Sequence, residues 1–394
     1  MNVNKSIVLS LGLFIGTLGV QAQDNLINSI KGNASENSKA GFQFTEVINL
    51  ENTPIRDQGS TGTCWSYSGN SFLESEMLRM GKPPVEISQI YTARQTYIEK
   101  AKNYVRLHGD QAQGEGGQVH DVLTIFKKYG AVPQEVYSGL QEGQTRNNFG
   151  DMTPILHNMA ENVAKSKKPS PNWIEAYTGI LDAYLGKVPE NFNYQGKNYT
   201  PRTFADQVIG IKPADYVAIS SFEAYPYYES FVLLIPDNWS FESFHNVQIN
   251  DMTDIIDHAL SKGYTIAWAT DVSEKSFSWR NGVAYVPEKA VEKMTTAEQA
   301  DMFNGPKTEP TITPAQRQAA FDDYSTTDDH GMHIVGSVKD QNGKEYYTVK
   351  NSWGESNDYK GYMYVTKEFV RYKTISLLLH KDGLAKDMKK KLSI

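Results

Sequence analysis

Four side chains, far apart in the chain, have the types needed for acyl transfer by a thiol. The stretch QGSTGTCWSYSG, residues 58–69, holds the only cysteine among 394 residues. Late in the chain, TTDDHGMHIVG supplies His330 and VKNSWGE supplies Asn351. A thiol attacks a carbonyl as the thiolate. It therefore needs a base to take its proton, a group to orient that base, and donors for the oxyanion that follows. Cys64, His330, Asn351 and Gln58 can fill those roles. The Gln58 amide precedes the thiol on the same loop and can donate beside the Cys64 backbone N–H. An asparagine orients an imidazole without adding charge. Trp353, two positions beyond Asn351, can shield their hydrogen bond from water. The competing reading is that a lone cysteine is a small buried hydrophobe.

The elements that must position these groups are legible from periodicity. In residues 64–80, apolar or small residues at Trp65, Ser68, Gly69, Phe72, Leu73 and Met77 have helical spacing, with Thr63 as N-cap and Gly81 and Pro83 as the stop. The thiol then lies on the first turn of a helix, where amide N–H groups and the helix dipole favour the thiolate. EISQIYTARQTYIEKAKNYVRL predicts a second helix. GEGGQVHDVLTIFKKYGAVP predicts a Gly-rich entry to a third, closed by Gly130 and Pro133. Residues 152–185 read as one further helical stretch. DYVAISSF, YESFVLLIP and YTIAWATDV read as strands, with NDMTDIIDHALSKG as a helix among them. The end of the chain reads as a β meander, with DQNGKE as a hairpin turn. Helices first and strands last predict an α+β layout of two lobes, with a cleft between them as the place for a site.

QGSTGTCW, DHGMHIVG and KNSWGE followed by GY resemble the signature blocks of the papain-like cysteine peptidases, in the same order Gln, Cys, His, Asn. His330 lies 266 positions after Cys64, roughly twice the span usual for papain-type enzymes. GEGGQVHDVLTIFKKYGAVP, NYTPRTFADQVIG and DMTDIIDHALSKGYTIAWATDVSE are similar to segments of the bleomycin hydrolase and aminopeptidase C branch, which has a long helical insertion between the Cys and His blocks. The resemblance implies a papain-like fold over residues 43–381, a helical lobe and a β-barrel-like lobe, with the insertion at about residues 140–215. It implies Cys64 as nucleophile, His330 as general base and later acid, Asn351 as orienter and Gln58 as oxyanion donor.

Gly116 and Gly117 match the branch's Gly-Gly stretch, along which the substrate backbone lies. Residues without Cβ permit that approach, and an ordinary helix-entry turn is the equal alternative. Trp65 and Trp353 are counted with them as substrate-binding residues. On an alternating strand His330 and His333 face opposite sides, and His333 reads as a partly buried structural residue. His120 is a candidate for substrate contact. No metal or other cofactor is expected, since no His, Cys, Asp and Glu grouping has zinc spacing and no nucleotide motif is present.

The branch further implies peptide substrates, release of N-terminal residues and a homo-oligomer, a hexamer. Its C-terminal arm lies in the cleft, where the terminal carboxylate meets the substrate's ammonium group. This chain ends HKDGLAKDMKKKLSI. The carboxylate is on Ile394, and Lys389, Lys390 and Lys391 make the tail, residues 382–394, basic, which opposes an incoming ammonium. An endopeptidase of the same fold and a catalytically silent binding protein are the alternative functions.

The N-terminus carries Lys5, an apolar run over residues 7–20 and the small–x–small pattern Val20-Gln21-Ala22. Residues 1–22 therefore read as a cleaved secretory signal, and the protein as exported, periplasmic or secreted. The polar residues 23–42 read as a flexible mature N-terminus. A net charge of −7 does not favour nucleic acid or an anionic membrane as partner. One cysteine can form no internal disulfide, so stability must come from the core. A thiol kept in an exported chain is a liability unless it is used.

Overall fold

The structure, a computed structural model, describes residues 25–27, 29–30 and 41–394. The secretory-signal segment and much of residues 23–42 lie outside the described residues. Within the latter, Ile27 and Ile30 are buried in the core, so that part of the expected flexible stretch packs.

The helical half comes first. α1 (Cys64–Arg79) is buried along its whole length from Cys64 to Met77, because it lies between the sheet and α2 (Gln89–Arg106). Thr63 occupies the N-cap position of α1 but does not cap it; its hydroxyl pairs with Thr61 Oγ1 at 2.5 Å. Ser88 does cap α2, accepting from the Tyr91 N–H at 3.0 Å. α3 (Asp121–Tyr129) ends where Gly130 adopts φ 80°. The long helical stretch expected over residues 152–185 is two helices, α4 (Met152–Ala164) and α5 (Trp173–Leu185). Pro169 and Pro171 lie in the break between them and cannot continue a helix. Tyr177, Leu181 and Leu185 of α5 pack into the same core as α1 and α2. A small hairpin, β2 (Phe192–Tyr194) and β3 (Lys197–Tyr199), and α6 (Pro201–Phe204) complete this region; β1 (Thr45–Asn49) precedes it.

The second half builds one large sheet. Its strands are β4 (Tyr216–Ser220), β5 (Ser230–Val232), β6 (Ser243–Asn246), β7 (Ile266–Thr270), β8 (Phe277–Ser278), β9 (Val283–Ala284), β10 (His330–Lys339), β11 (Glu345–Lys350), β12 (Tyr362–Thr366) and β13 (Thr374–His380). They lie in the order β5-β6-β4-β13-β7-β10-β11-β12-β9-β8, with β1 added to β10. The expected meander is β10-β11-β12. Its first turn is closed by Asp340, whose Oδ1 accepts from the Asn342 and Lys344 N–H groups at 2.8 and 3.0 Å. Only Ser230–Val232 of the expected strand YESFVLLIP is extended in the sheet. Beyond it the Asn238 side chain closes a loop, donating to Leu233 O at 2.9 Å and Glu242 O at 3.0 Å. The helices α7 (Ile249–Ser261), α8 (Thr296–Asp301), α9 (Pro314–Asp322), α10 (Lys367–Lys373) and α11 (Lys386–Leu392) accompany the strands. A second core contains the apolar face of α7, Met388 and Leu392 of α11, and Ile27 and Ile30. Among the described residues no helix is long and apolar enough to cross a membrane.

Candidate active site

Cys64 opens α1 and His330 opens β10. The two elements touch because Gly331 lies flat on the first turn of α1. A Cβ there would come within 3.0 Å of Trp65 Cα and 2.8 Å of Ser68 Oγ. The residue after the base therefore meets the residue after the thiol, and Cys64 and His330 line one cleft of about 670 Å³.

Asn351 stands just beyond β11. Its Oδ1 accepts from the Ser352 backbone N–H at 2.7 Å and lies 2.8 Å from His330 Nε2. The backbone donor identifies that atom as the oxygen, so His330 Nε2 must be the protonated nitrogen and Nδ1 remains for proton exchange. Burial lowers the imidazole to about 4, the Asn351 hydrogen bond acting the other way. The ring is thus held neutral, the form that can accept a proton. Trp353 packs on it with ring centroids 4.5 Å apart and leans in turn on Phe277 and Trp279. It covers the His–Asn pair from behind and does not line the cleft, which corrects its expected place on the substrate side.

Gln58 is fully buried. Its Nε2 donates to Thr61 O at 2.6 Å, and its Oε1 accepts from Ser352 Oγ at 2.7 Å. Its backbone N–H also donates to Ser352 O at 2.9 Å. The amide is strapped between the thiol loop and the Asn351 segment. Among the described residues, one of its two N–H groups has no acceptor.

Gly116, Gly117 and Trp65 all line the cleft. A Cβ on Gly117 would sit 2.9 Å from the Trp65 ring and from Asp121 Oδ2, and one on Gly116 would run into the Asp237 carboxylate. Lys100 holds this strip from behind, its Nζ donating to Gly114 O at 2.8 Å and Gly116 O at 2.5 Å. His120 lies off the cleft, packed on Phe244 with centroids 5.2 Å apart, and burial lowers it to about 4. His333 is fully buried, with Nδ1 3.0 Å from Ser71 Oγ.

Sequence reasoning missed how acidic the cleft is. Glu115, Glu161, Asp237, Asp328 and Asp329 line it, with Leu26 and His157. Burial raises Asp237. Burial, then the facing charge of Asp237, pushes Asp328 well above the usual carboxylate range. Asp329 is raised likewise, by burial and by Asp271. The tail does not reach this cleft: no residue of 382–394 lines it.

The chain matches the model of the peptidase C1-like family over residues 18–394. It belongs to that family. The protein is accordingly a cysteine-type peptidase, a hydrolase. Aminopeptidase C of Lactococcus lactis subsp. cremoris is 24% identical over 378 residues, covering 86% of this chain and 83% of the relative. Aminopeptidase C of Streptococcus thermophilus is 24% identical over 407 residues, covering 92% and 87%. These relatives belong to the branch that the sequence blocks resemble. Among solved structures, pepw from Lactobacillus rhamnosis aligns with a TM-score of 0.71 at 20% identity, over 98% of this chain and 96% of the other. The peptidase C1-like fold is the expected papain-like α+β fold.

Proposed function

We propose that this peptidase releases N-terminal residues from peptides through an acyl-enzyme on Cys64. The observation that carries the chemistry is the Asn351–His330 hydrogen bond, which leaves Nδ1 as the working nitrogen at the thiol's cleft. The Cys64 thiol proton passes to His330 Nδ1, and the sulfur attacks the scissile carbonyl carbon. The carbonyl electron pair moves to oxygen, where the Cys64 N–H and the Gln58 amide donate. Collapse breaks the C–N bond, and the leaving amine takes the proton from His330. Water then attacks the thioester, giving its proton to His330 and releasing the acid and the thiol. The likeness to Aminopeptidase C over most of both chains supports the exopeptidase reading.

The test is mass-spectrometric product analysis on one peptide, unblocked and N-acetylated. Stepwise loss of N-terminal residues from the unblocked form alone is expected, abolished by one equivalent of iodoacetamide and by Cys64→Ala. Internal cuts in both forms overturn the exopeptidase reading in favour of an endopeptidase. Cleavage of neither identifies a silent binding protein. Export is proposed from the N-terminal pattern; a mature protein beginning near Gln23 is expected from cells, and one retaining Met1 overturns it. The hexamer is read by sedimentation of the intact protein, a monomer mass overturning it.

A further inference from the structure

An enzyme that takes one residue from a peptide's N-terminus must bind an ammonium group a single Cα away from the carbonyl it attacks. On the glycine side of the cleft that place is next to Gly116 and Gly117, the second of which packs on Trp65 beside the thiol. Asp237 stands there, its carboxylate pressed against the Gly116 Cα. The loop that carries it is not loose. Asn238 ties both of its ends, and Trp239 Nε1 donates to the buried Asp121 Oδ2 at 2.7 Å.

The other carboxylates of the cleft are engaged. Glu115 accepts from the Gly62 N–H and from Thr153 Oγ1. Asp328 accepts from Gln118 Nε2, and Asp329 accepts from the Val272 N–H at 2.9 Å. Asp237 accepts no hydrogen bond and closes no ion pair among the described residues. The cation acting on it, Lys100, directs its Nζ to the Gly114 and Gly116 carbonyls. Asp237 is half-buried at the cleft wall, and a carboxylate that loses part of its water there gains from a cation. The terminal carboxylate of Ile394 is elsewhere. Met388 and Leu392 of α11 are packed in the second core, and Lys389 reaches Asp382 at 2.6 Å.

We propose that Asp237 is the specificity-determining anchor for the α-ammonium group of the substrate's first residue. The proposal rests on the aminopeptidase reading above. It is tested with alanyl and N-acetylalanyl amides of a coumarin fluorophore, comparing kcat/KM for the two. Wild type favours the unblocked substrate. Asp237→Asn lowers kcat/KM on that substrate by about 10- to 100-fold, chiefly through KM, and the preference collapses. Asp237→Ser gives the same loss if the Asn amide crowds Gly116. Iodoacetamide uptake by Cys64 at the wild-type rate shows that the variants keep the folded site. Deleting Ser393 and Ile394, which relocates the terminal carboxylate, leaves the preference intact. A preference that survives in both Asp237 variants overturns the assignment alone, as does one lost with the deletion. A wild type that cleaves both substrates equally overturns the aminopeptidase reading, and the anchor with it.

Discussion

The first turn of α1 borders a cleft in which Asp237 meets no cation in contact among the described residues, whereas two turns further along the same helix Glu74 shares a closed, buried network with Lys350 of β11. There Lys350 Nζ donates to Thr53 O at 2.6 Å, Thr53 Oγ1 at 3.0 Å and Ser71 Oγ at 2.8 Å. Glu74 accepts from the Ile87 N–H at 2.8 Å and from the Thr53 hydroxyl. Burial pushes Glu74 up to about 7 and Lys350 down to about 8, and the opposite charge of each restrains the other. In the cleft burial raises Asp237, Asp328 and Asp329, and the charges they face add to the shift of the last two. The closed network joins α1 to the sheet. The cleft turns its carboxyl groups toward whatever enters.

The comparison breaks most sharply at Lys350. Lys350→Met leaves Glu74 buried without its cation, and should cost about 3–5 kcal/mol of stability in a denaturant titration. A loss under about 1 kcal/mol would mean that the network is as open as the cleft. Gln58→Ala sharpens the other side. Its hydrogen bonds to Thr61 and Ser352 are structural; the proposed mechanism assigns its remaining N–H to the oxyanion, so kcat should fall about 10²–10³-fold in the folded variant. A kcat within threefold of wild type would make the amide a strap and nothing more.

The smallest effect concerns His120, which belongs to neither cluster. Burial lowers both His120 and His330 to about 4 and His333 well below its usual value. Their folded-state values lie below the unfolded value of about 6.5, so the unfolded chain binds more protons and stability falls as pH drops from 6.5 toward 4. His120→Phe should reduce that slope by at most about 1.4 kcal/mol per pH unit. Denaturant midpoints at pH 7 and pH 5 that shift equally in variant and wild type would show that His120 does not stay neutral.

The four residues of the proposed chemistry were legible because each sits in a block whose neighbours are constrained for local reasons. Gly331 has to be small against α1, and Ser352 has to present its N–H to Asn351. The helices and the hairpin were legible from apolar spacing and turn residues. What was not legible depends on contacts distant in sequence. Nothing in YESFVLLIP announces that the chain leaves the sheet after Val232 and brings Asp237 to Gly116, because Asn238 and Trp239 make that loop through groups folded elsewhere. The two prolines between α4 and α5 were a local signal, outweighed by the apolar spacing on either side. The spacing of Leu26, Ile27 and Ile30 was masked by the polar residues around it, yet Ile27 and Ile30 help close the second core.

β10 is clamped on several sides. Its first five residues pair with β7, its later ones with β11 and β1, and Gly331 is pressed onto α1. A strand held in this way fixes the base beside the turn that carries the thiol. Enzymes that open by domain rotation are often paced by that rotation. Here the pace of turnover is expected to fall instead to the chemical steps. Solvent viscosity should then weigh little on kcat, as expected of a site assembled before its substrate arrives.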